Sequence, residues 1–276
     1  MATFPPASAP LEAPSKGNVR CTASDVLRWA GMAERADYRT DAIWFPLRRV
    51  RAERPLIREG QAFEMLHVVS GGSFKYIQTD VEGYEQVLGF AIRGDMVGLD
   101  GLGHATHTTG AVALEDSTVV ALCFRDLLAL GRQVPALEAL LHHAAGAEVV
   151  RRGDTQYLMA APSSEVRVAR FLLQLADRQT ALGHSSSRLR LCMTRRDIAS
   201  YLGVAHETVS RAFTRLATEG HITVSQRDIE LIDLPGLREL QRMTRGRVTQ
   251  EEHAASTPKV TRGGSVRVAE AQPAWH

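Results

Sequence analysis

Cysteine is scarce and scattered. The 276-residue chain holds 3, at Cys21, Cys123 and Cys192, with no CxxC pair. An odd, dispersed set supports neither a disulfide framework nor a four-thiolate metal site, and it fits a reducing compartment. No stretch of about 18 uninterrupted apolar residues exists, so no membrane span is expected. The first basic residue is Lys16, after a Pro/Ala/Ser-rich run with no apolar core, which is not how a secretory signal reads. The expected location is the cytoplasm. Lysine is almost missing: only Lys16, Lys75 and Lys259 among 33 basic residues. An excess of either sign is lacking too, with 33 basic against 31 acidic residues and a net charge of +2. That near-balance hides a local asymmetry. Between Arg188 and Leu216 stand six arginines against Asp197 and Glu207. A small net charge therefore leaves room for a nucleic-acid face.

What remains is ordinary globular composition, 44% apolar and 23% charged, which excludes collagen, coiled-coil rods and wholesale disorder. At roughly 150 residues per domain the length suggests two. Met1–Gly17 reads as a disordered leader. Ser24–Ala36 has helical spacing with Ser24 as a candidate cap. From Val50 to Phe124, short runs such as Met65–Val69, Ser73–Gln78, Gln86–Phe90 and Thr118–Phe124 are punctuated by Gly and Asp. Turn signals every 8–12 residues predict an all-β barrel or sandwich. Then the period changes. Leu137, Leu140, Leu141, Ala144, Ala147 and Val150 recur at helical steps, and Pro135 suits a first turn. The spacing predicts a helix over Ala136–Met159, about 36 Å long, which outruns the face a small barrel can cover and so suits a dimer contact. A second helix is expected after Ser163 or Ser164. Leu189–Cys192 reads as a strand, and Ile222–Ile232 as a hairpin. The tail beyond Arg242 is polar and is expected to be disordered.

Met193–Val224 carries the strongest signal. Thr194 with Asp197 forms an acidic variant of the capping box. Ile198, Ala199, Tyr201 and Leu202 make one amphipathic helix, and Gly203 supplies the permissive turn. From Glu207 a second helix follows, with Val209, Ala212, Phe213 and Leu216 inward and His206, Glu207, Ser210 and Arg211 outward. This is a helix-turn-helix, whose second helix fits the major groove. There arginine pairs with guanine and glutamate accepts from cytosine. The competing reading of Glu207 and Arg211, four apart, is a surface ion pair worth a few tenths of a kcal/mol. Ile222–Ile232, with Arg227 in its turn, reads as a wing.

Thr194-Arg195-Arg196-Asp197-Ile198-Ala199-Ser200-Tyr201-Leu202-Gly203, followed by Glu207-Thr208-Val209-Ser210-Arg211, resembles the DNA-binding domain of the Crp/Fnr regulators. The Glu-x-x-Ser-Arg variant is that of the Fnr–FixK branch. Upstream, Gly83-x-Glu85-Gln86-Val87-x-Gly89-Phe90 and Gly94-Asp95-Met96-Val97-Gly98-Leu99-Asp100 are similar to that branch's sensor β-roll. The likeness runs from about Pro55 to Leu240. It implies an α+β fold: an N-terminal β-roll (cyclic-nucleotide-binding-like jelly roll), a long dimerisation helix and a C-terminal winged helix-turn-helix. The implied organisation is a partly disordered leader over 1–45, the β-roll over 46–134, the dimerisation helix over 135–160, the DNA-binding domain over 161–241 and a disordered tail over 242–276. It further implies a homodimeric regulator, an activator, that reads a palindrome of the TTGAT-N4-ATCAA type and works with RNA polymerase. Glu207, Ser210 and Arg211 match base-reading positions. Arg195 and Thr208 match phosphate contacts, and His206 a variable position.

The sensor reads mostly by subtraction. Iron–sulfur ligation needs about four thiolates. Cys21 stands alone in the N-terminal region, and Cys123 falls three residues past the matching position, Val120. The stretch matching the family's cyclic-phosphate cradle, Gly101–Gly110, offers Thr108-Thr109 but no arginine, so a phosphate would lack its charged partner. No cofactor is expected. His104 and His107 form an HxxH; without a nearby carboxylate or thiol they read as solvated loop residues. His142-His143 read as polar surface or interface. Cys192 is a half-buried strand residue or, near a basic surface that favours its thiolate, a redox-modulated thiol. Asp154, placed on the dimer side, would repel its twin. Two rival readings are an effector-gated regulator and, from another class, a metal-dependent β-helix enzyme or binding protein using His104 and His107.

Overall fold

The computed structural model describes residues 19–243. The leader up to Gly17 and the tail from Thr244 lie outside the described residues. Residues 20–45, read from sequence as leader, are built into the first domain. Strand β1 (Arg20–Thr22) pairs antiparallel with β2 (Trp44–Val50). Between them, α1 (Ala23–Trp29) buries Ala23, Val26 and Leu27. Its cap is Thr22 and not Ser24: the Thr22 hydroxyl accepts from the Asp25 amide while the Asp25 carboxylate accepts from the Thr22 amide. Ser24 lies inside, 2.7 Å from the Thr40 hydroxyl. The expected helix to Ala36 stops at Trp29, because Gly31 turns at φ +77°. A short helix α2 (Tyr38–Asp41), capped by Asp37, leads into β2.

Two antiparallel sheets make the β-roll. One runs β1-β2-β9-β4-β7, with β4 at Met65–Gly71, β7 at Met96–Val97 and β9 at Ser117–Cys123. The other runs β3-β8-β5-β6, with β3 at Pro55–Ile57, β5 at Phe74–Thr79, β6 at Glu85–Ala91 and β8 at Gly110–Ala113. Their facing sides close over Val50, Ile57, Val69, Phe74, Ala91 and Val119. Strand alternation then sends Leu66 and Val68 of β4 to the opposite face. There they join Val26 and Leu27 of α1, Leu127 of α3 (Phe124–Gly131), and Leu137 and Leu140 of α4 (Pro135–Met159). Helix α4 spans Pro135–Met159 with Pro135 in its first turn.

The C-terminal domain contains α5 (Ser164–Ala181), capped by Ser163, then β10 (Arg188–Arg190), α6 (Arg195–Leu202) and α7 (His206–Thr218). A three-stranded sheet, β10-β12-β11, follows from β11 (Ile222–Ser225) and β12 (Asp228–Leu231). Helix α8 (Leu234–Arg242) closes the domain. Arg170 of α5 is buried at 2% exposure. Its guanidinium lies 3.8 Å from the Tyr157 ring centroid and donates to the carbonyls of Tyr157, Gln241 and Met243 at 2.5, 3.0 and 2.7 Å. One cation thus ties the end of α4 to the end of α8. No described helix is long and apolar enough to cross a membrane.

The two domains share a core. Ile77, Val87 and Phe90 of the β-roll pack in one cluster with Phe171, Leu175, Ala199 and Tyr201. Phe90, Phe171 and Tyr201 form an aromatic triangle with centroids 5.2 to 6.1 Å apart, a spacing that favours tilted ring pairs.

Candidate nucleic-acid interface

Helix α6 begins with a complete capping box. The Thr194 hydroxyl accepts from the Asp197 amide, and the Asp197 carboxylate accepts from the Thr194 amide at 2.9 Å. It ends at Gly203 in the left-handed region, φ +61°, where a side chain would be strained. The turn starts α7, whose Val209, Ala212, Phe213 and Leu216 are buried. That burial fixes the rotation of α7 and leaves His206, Glu207 and Arg211 exposed, with Thr208 and Ser210 half-buried beside them. The surface ion pair between Glu207 and Arg211 does not form: among the described residues neither has an ion-pair partner. Both keep their hydrogen-bonding capacity for an outside partner. Arg195 lies with its guanidinium 3.8 Å from the Phe213 ring centroid. This cation–π stack holds it at the N-terminal edge of α6, beside α7. Arg227 is exposed in the wing turn, where Gln226 takes φ +54°.

Helix α6 also docks on the β-roll. Lys75 Nζ meets Asp197 Oδ1 at 2.7 Å, the Val87 amide donates to Ser200 Oγ at 2.8 Å, and Gln86 donates to the Ser200 carbonyl. Asp95, between β6 and β7, pairs with both Arg151 of α4 and Arg178 of α5. Sequence reading missed these contacts. Lys75 and Asp197 are 122 residues apart, and no local pattern reports so distant a pairing.

The comparisons with known proteins agree with this geometry. The Crp-like helix-turn-helix domain family matches residues 166–240, and the cyclic nucleotide-binding domain family matches 47–133. The transcriptional regulatory protein btr of Bordetella pertussis is 40% identical over 194 residues, 70% of this chain and 80% of that protein. The chain belongs to the Crp/Fnr family. Within that family it is also similar to the transcriptional activator protein Anr of Pseudomonas protegens, 33% identical over 178 residues, covering 64% of this chain and 73% of that protein. The structure of FixK2 from Bradyrhizobium japonicum matches with a TM-score of 0.63 at 28% identity, covering 72% of this chain and 98% of that one. The chain is therefore a DNA-binding transcriptional regulator, and its relatives are regulators and not enzymes.

Other residues singled out in the sequence sit differently in this Crp/Fnr chain. The Cys192 thiol lies 3.1 Å from Glu115 Oε1. Burial and then the Glu115 carboxylate push it up to about 11. The expectation of a favoured thiolate is thus reversed, because an acid from the β-roll stands nearer than the basic surface. His104 is exposed, but His107 is not the solvated loop residue expected: it is 2% exposed, with Nδ1 3.2 Å from Asp100. Among the described residues no three His, Cys, Asp or Glu side chains converge as metal ligands. Asp154 is half-buried next to Thr155, whose hydroxyl is 3.1 Å from Tyr201 Oη. His142 and His143 are both exposed on α4.

Proposed function

We propose that two copies of this chain join along α4 and act in the cytoplasm as a transcriptional activator on a TTGAT-N4-ATCAA-like palindrome, in contact with RNA polymerase. The observation that carries this reading is the outward, unpaired Glu207 and Arg211 on a helix rotated by its buried face. Glu207 accepts from a cytosine amine, and Arg211 donates bidentately to a guanine edge. Ser210 reads beside them. Arg195, Thr208 and Arg227 contact phosphate and set register without carrying sequence information, and His206 stands exposed beside them at the variable position of the DNA-facing surface.

Dimerisation is supported by the free face of α4. Gly146 and Gly153 stand seven residues apart, with His142, Val149 and Gln156 at the alternating positions, all exposed. That is a 3-4 seam of the coiled-coil kind. A Cβ added at Gly146 or Gly153 would meet nothing within 4 Å in a single chain, and Val149 is 72% exposed. Small residues at one seam position let two backbones approach closely. To reach both half-sites such a dimer needs its two copies of α7 about 34 Å apart, one turn of the duplex.

The test is fluorescence anisotropy with the palindromic duplex at fixed salt. Arg211→Ala is expected to weaken binding by about 1–3 kcal/mol per half-site and to relax discrimination at one base pair. Unchanged affinity and unchanged mismatch penalties would remove Arg211 from the base-reading set.

A further inference from the structure

Loop 98–109 of the β-roll gathers hydrogen-bond donors around a single oxygen. Asp100 Oδ2 accepts from the Thr108 amide at 2.7 Å, the Thr109 amide at 2.9 Å, and the two threonine hydroxyls at 3.2 and 3.1 Å. Asp100 Oδ1 lies 3.2 Å from His107 Nδ1. Two consecutive backbone amides with flanking hydroxyls form an anion-binding nest. Here the nest is full, and its anion is covalently part of the chain.

The nest opens on a cavity of about 420 Å³ between the β-roll and α4. Tyr76, Leu88, Met96 and Leu99 give it an apolar wall, and Thr108 and Thr109 form its floor. The one cation among the described residues lining it, Arg152, is 3.1 Å from Glu148. A cyclic nucleotide, the ligand class named by the matching domain family, needs donors and positive charge for its phosphate. Inside the nest neither is spare. The amides already serve a carboxylate, and that carboxylate would repel a second anion. The residues present do not fit the group.

We propose that Asp100 is a built-in anion that occupies the nest permanently, so that this β-roll holds its nest loop without a nucleotide and refuses anionic effectors. The loop gains order from the internal carboxylate that another chain would gain from a bound phosphate. Burial works against charge on Asp100, but the bonds from His107 and Thr109 outweigh it and hold its carboxyl below the usual aspartate range. The anion is present at neutral pH.

Thermal melting of the full-length protein tests this, at ionic strength matched with chloride. Wild type is expected to show no saturable rise in Tm with cyclic AMP or with inorganic sulfate. Asp100→Gly, which empties the nest, should melt several degrees lower and recover at least half the loss in a saturable way with sulfate. Three results would overturn the proposal: a saturable rise of wild type with cyclic AMP, an Asp100→Gly protein that melts like wild type, or a lowered melt that no anion recovers. The last would leave Asp100 a turn-forming residue only. Should the glycine variant fail to fold, NMR of wild type decides. The Thr108 and Thr109 amide protons should shift together on acidification, with one midpoint below the ordinary aspartate value. Flat or unrelated titrations contradict an Asp100 anion in the nest.

Discussion

His67 makes a measurable pH dependence. It lies on β4 at 4% exposure, its neighbour Val69 facing the interior of the roll, and its Nδ1 has no hydrogen-bond partner. Burial, then the positive charge of Arg48, then His107 pull its pKa from 6.5 to about 4. In the unfolded chain the ring takes a proton near its ordinary value; in the folded chain it resists. Stability from the neutral ring is therefore fully present above pH 6.5 and lost as pH falls toward 4. At about 1.4 kcal/mol per unit, the full loss is about 3 kcal/mol. By pH 5 about 2 kcal/mol of it is gone. Urea denaturation of wild type and of His67→Leu at pH 7.5 and pH 5 isolates the contribution. Every other titrating group is common to both proteins, and leucine fills similar space without a nitrogen to desolvate. The leucine variant should lose about 2 kcal/mol less than wild type across that interval. Parallel losses would show that water or a neighbour satisfies the His67 ring, and the reasoning would fall.

Gly146→Leu and Val149→Asp should each shift the protein toward monomer in light scattering and weaken palindrome binding; a stable dimer in both would move the interface off α4. The Cys192 thiol should alkylate slowly with iodoacetamide at pH 7.5, and somewhat faster in Glu115→Gln, since burial first and then the carboxylate raise its pKa to about 11; rapid alkylation of wild type would contradict that placement. Arg170→Met should cost about 2 kcal/mol or more, because it removes part-buried bonds from a charged donor to the Tyr157 and Met243 carbonyls, each worth about 1.5–3 kcal/mol, while the Gln241 carbonyl keeps its bond from the Tyr157 hydroxyl. Cutting the chain before Gln241 should cost a similar amount, whereas cutting before Gly246 should leave the melt unchanged; equal melts for both truncations would deny the Arg170 clasp.

The helix-turn-helix was legible because its determinants are local. Thr194, Asp197 and Gly203 act within a turn of themselves, and the 3.6 period of α7 separates Phe213 from Arg211 without help from elsewhere. The strands β4, β5, β6 and β9 showed through their turn residues. Strand β2 did not: its exposed Arg48 and Arg49 and its Pro46 disguise an edge-like pattern, buried only at Phe45 and Val50. Helices α3 and α8, each under ten residues, were too short for periodicity to separate from loop. The Thr22 cap went unread because Ser24 is an equally good capping residue, and only the pairing with Thr40 tells them apart. At the β-roll, Gly101–Gly110 was correctly seen to lack an arginine. The residue that fills the cradle, Asp100, stands just outside that window, and only the fold of the loop brings its carboxylate back onto Thr108 and Thr109.

The aromatic triangle of Phe90, Phe171 and Tyr201 bears on how this chain can be re-engineered. Regulators built from a sensor and a reader invite exchange of one half for another, as if the joint were a linker. Here the joint is packed interior. A chimera that keeps this reader but imports a foreign β-roll would uncover the Phe171 and Tyr201 rings to water unless the graft restored residues equivalent to Ile77, Val87 and Phe90. Exchange of either half is therefore constrained at strands β5 and β6, whose Tyr76 and Leu88 also wall the cavity beside the nest, and a working hybrid needs its seam drawn around Ile77, Val87 and Phe90.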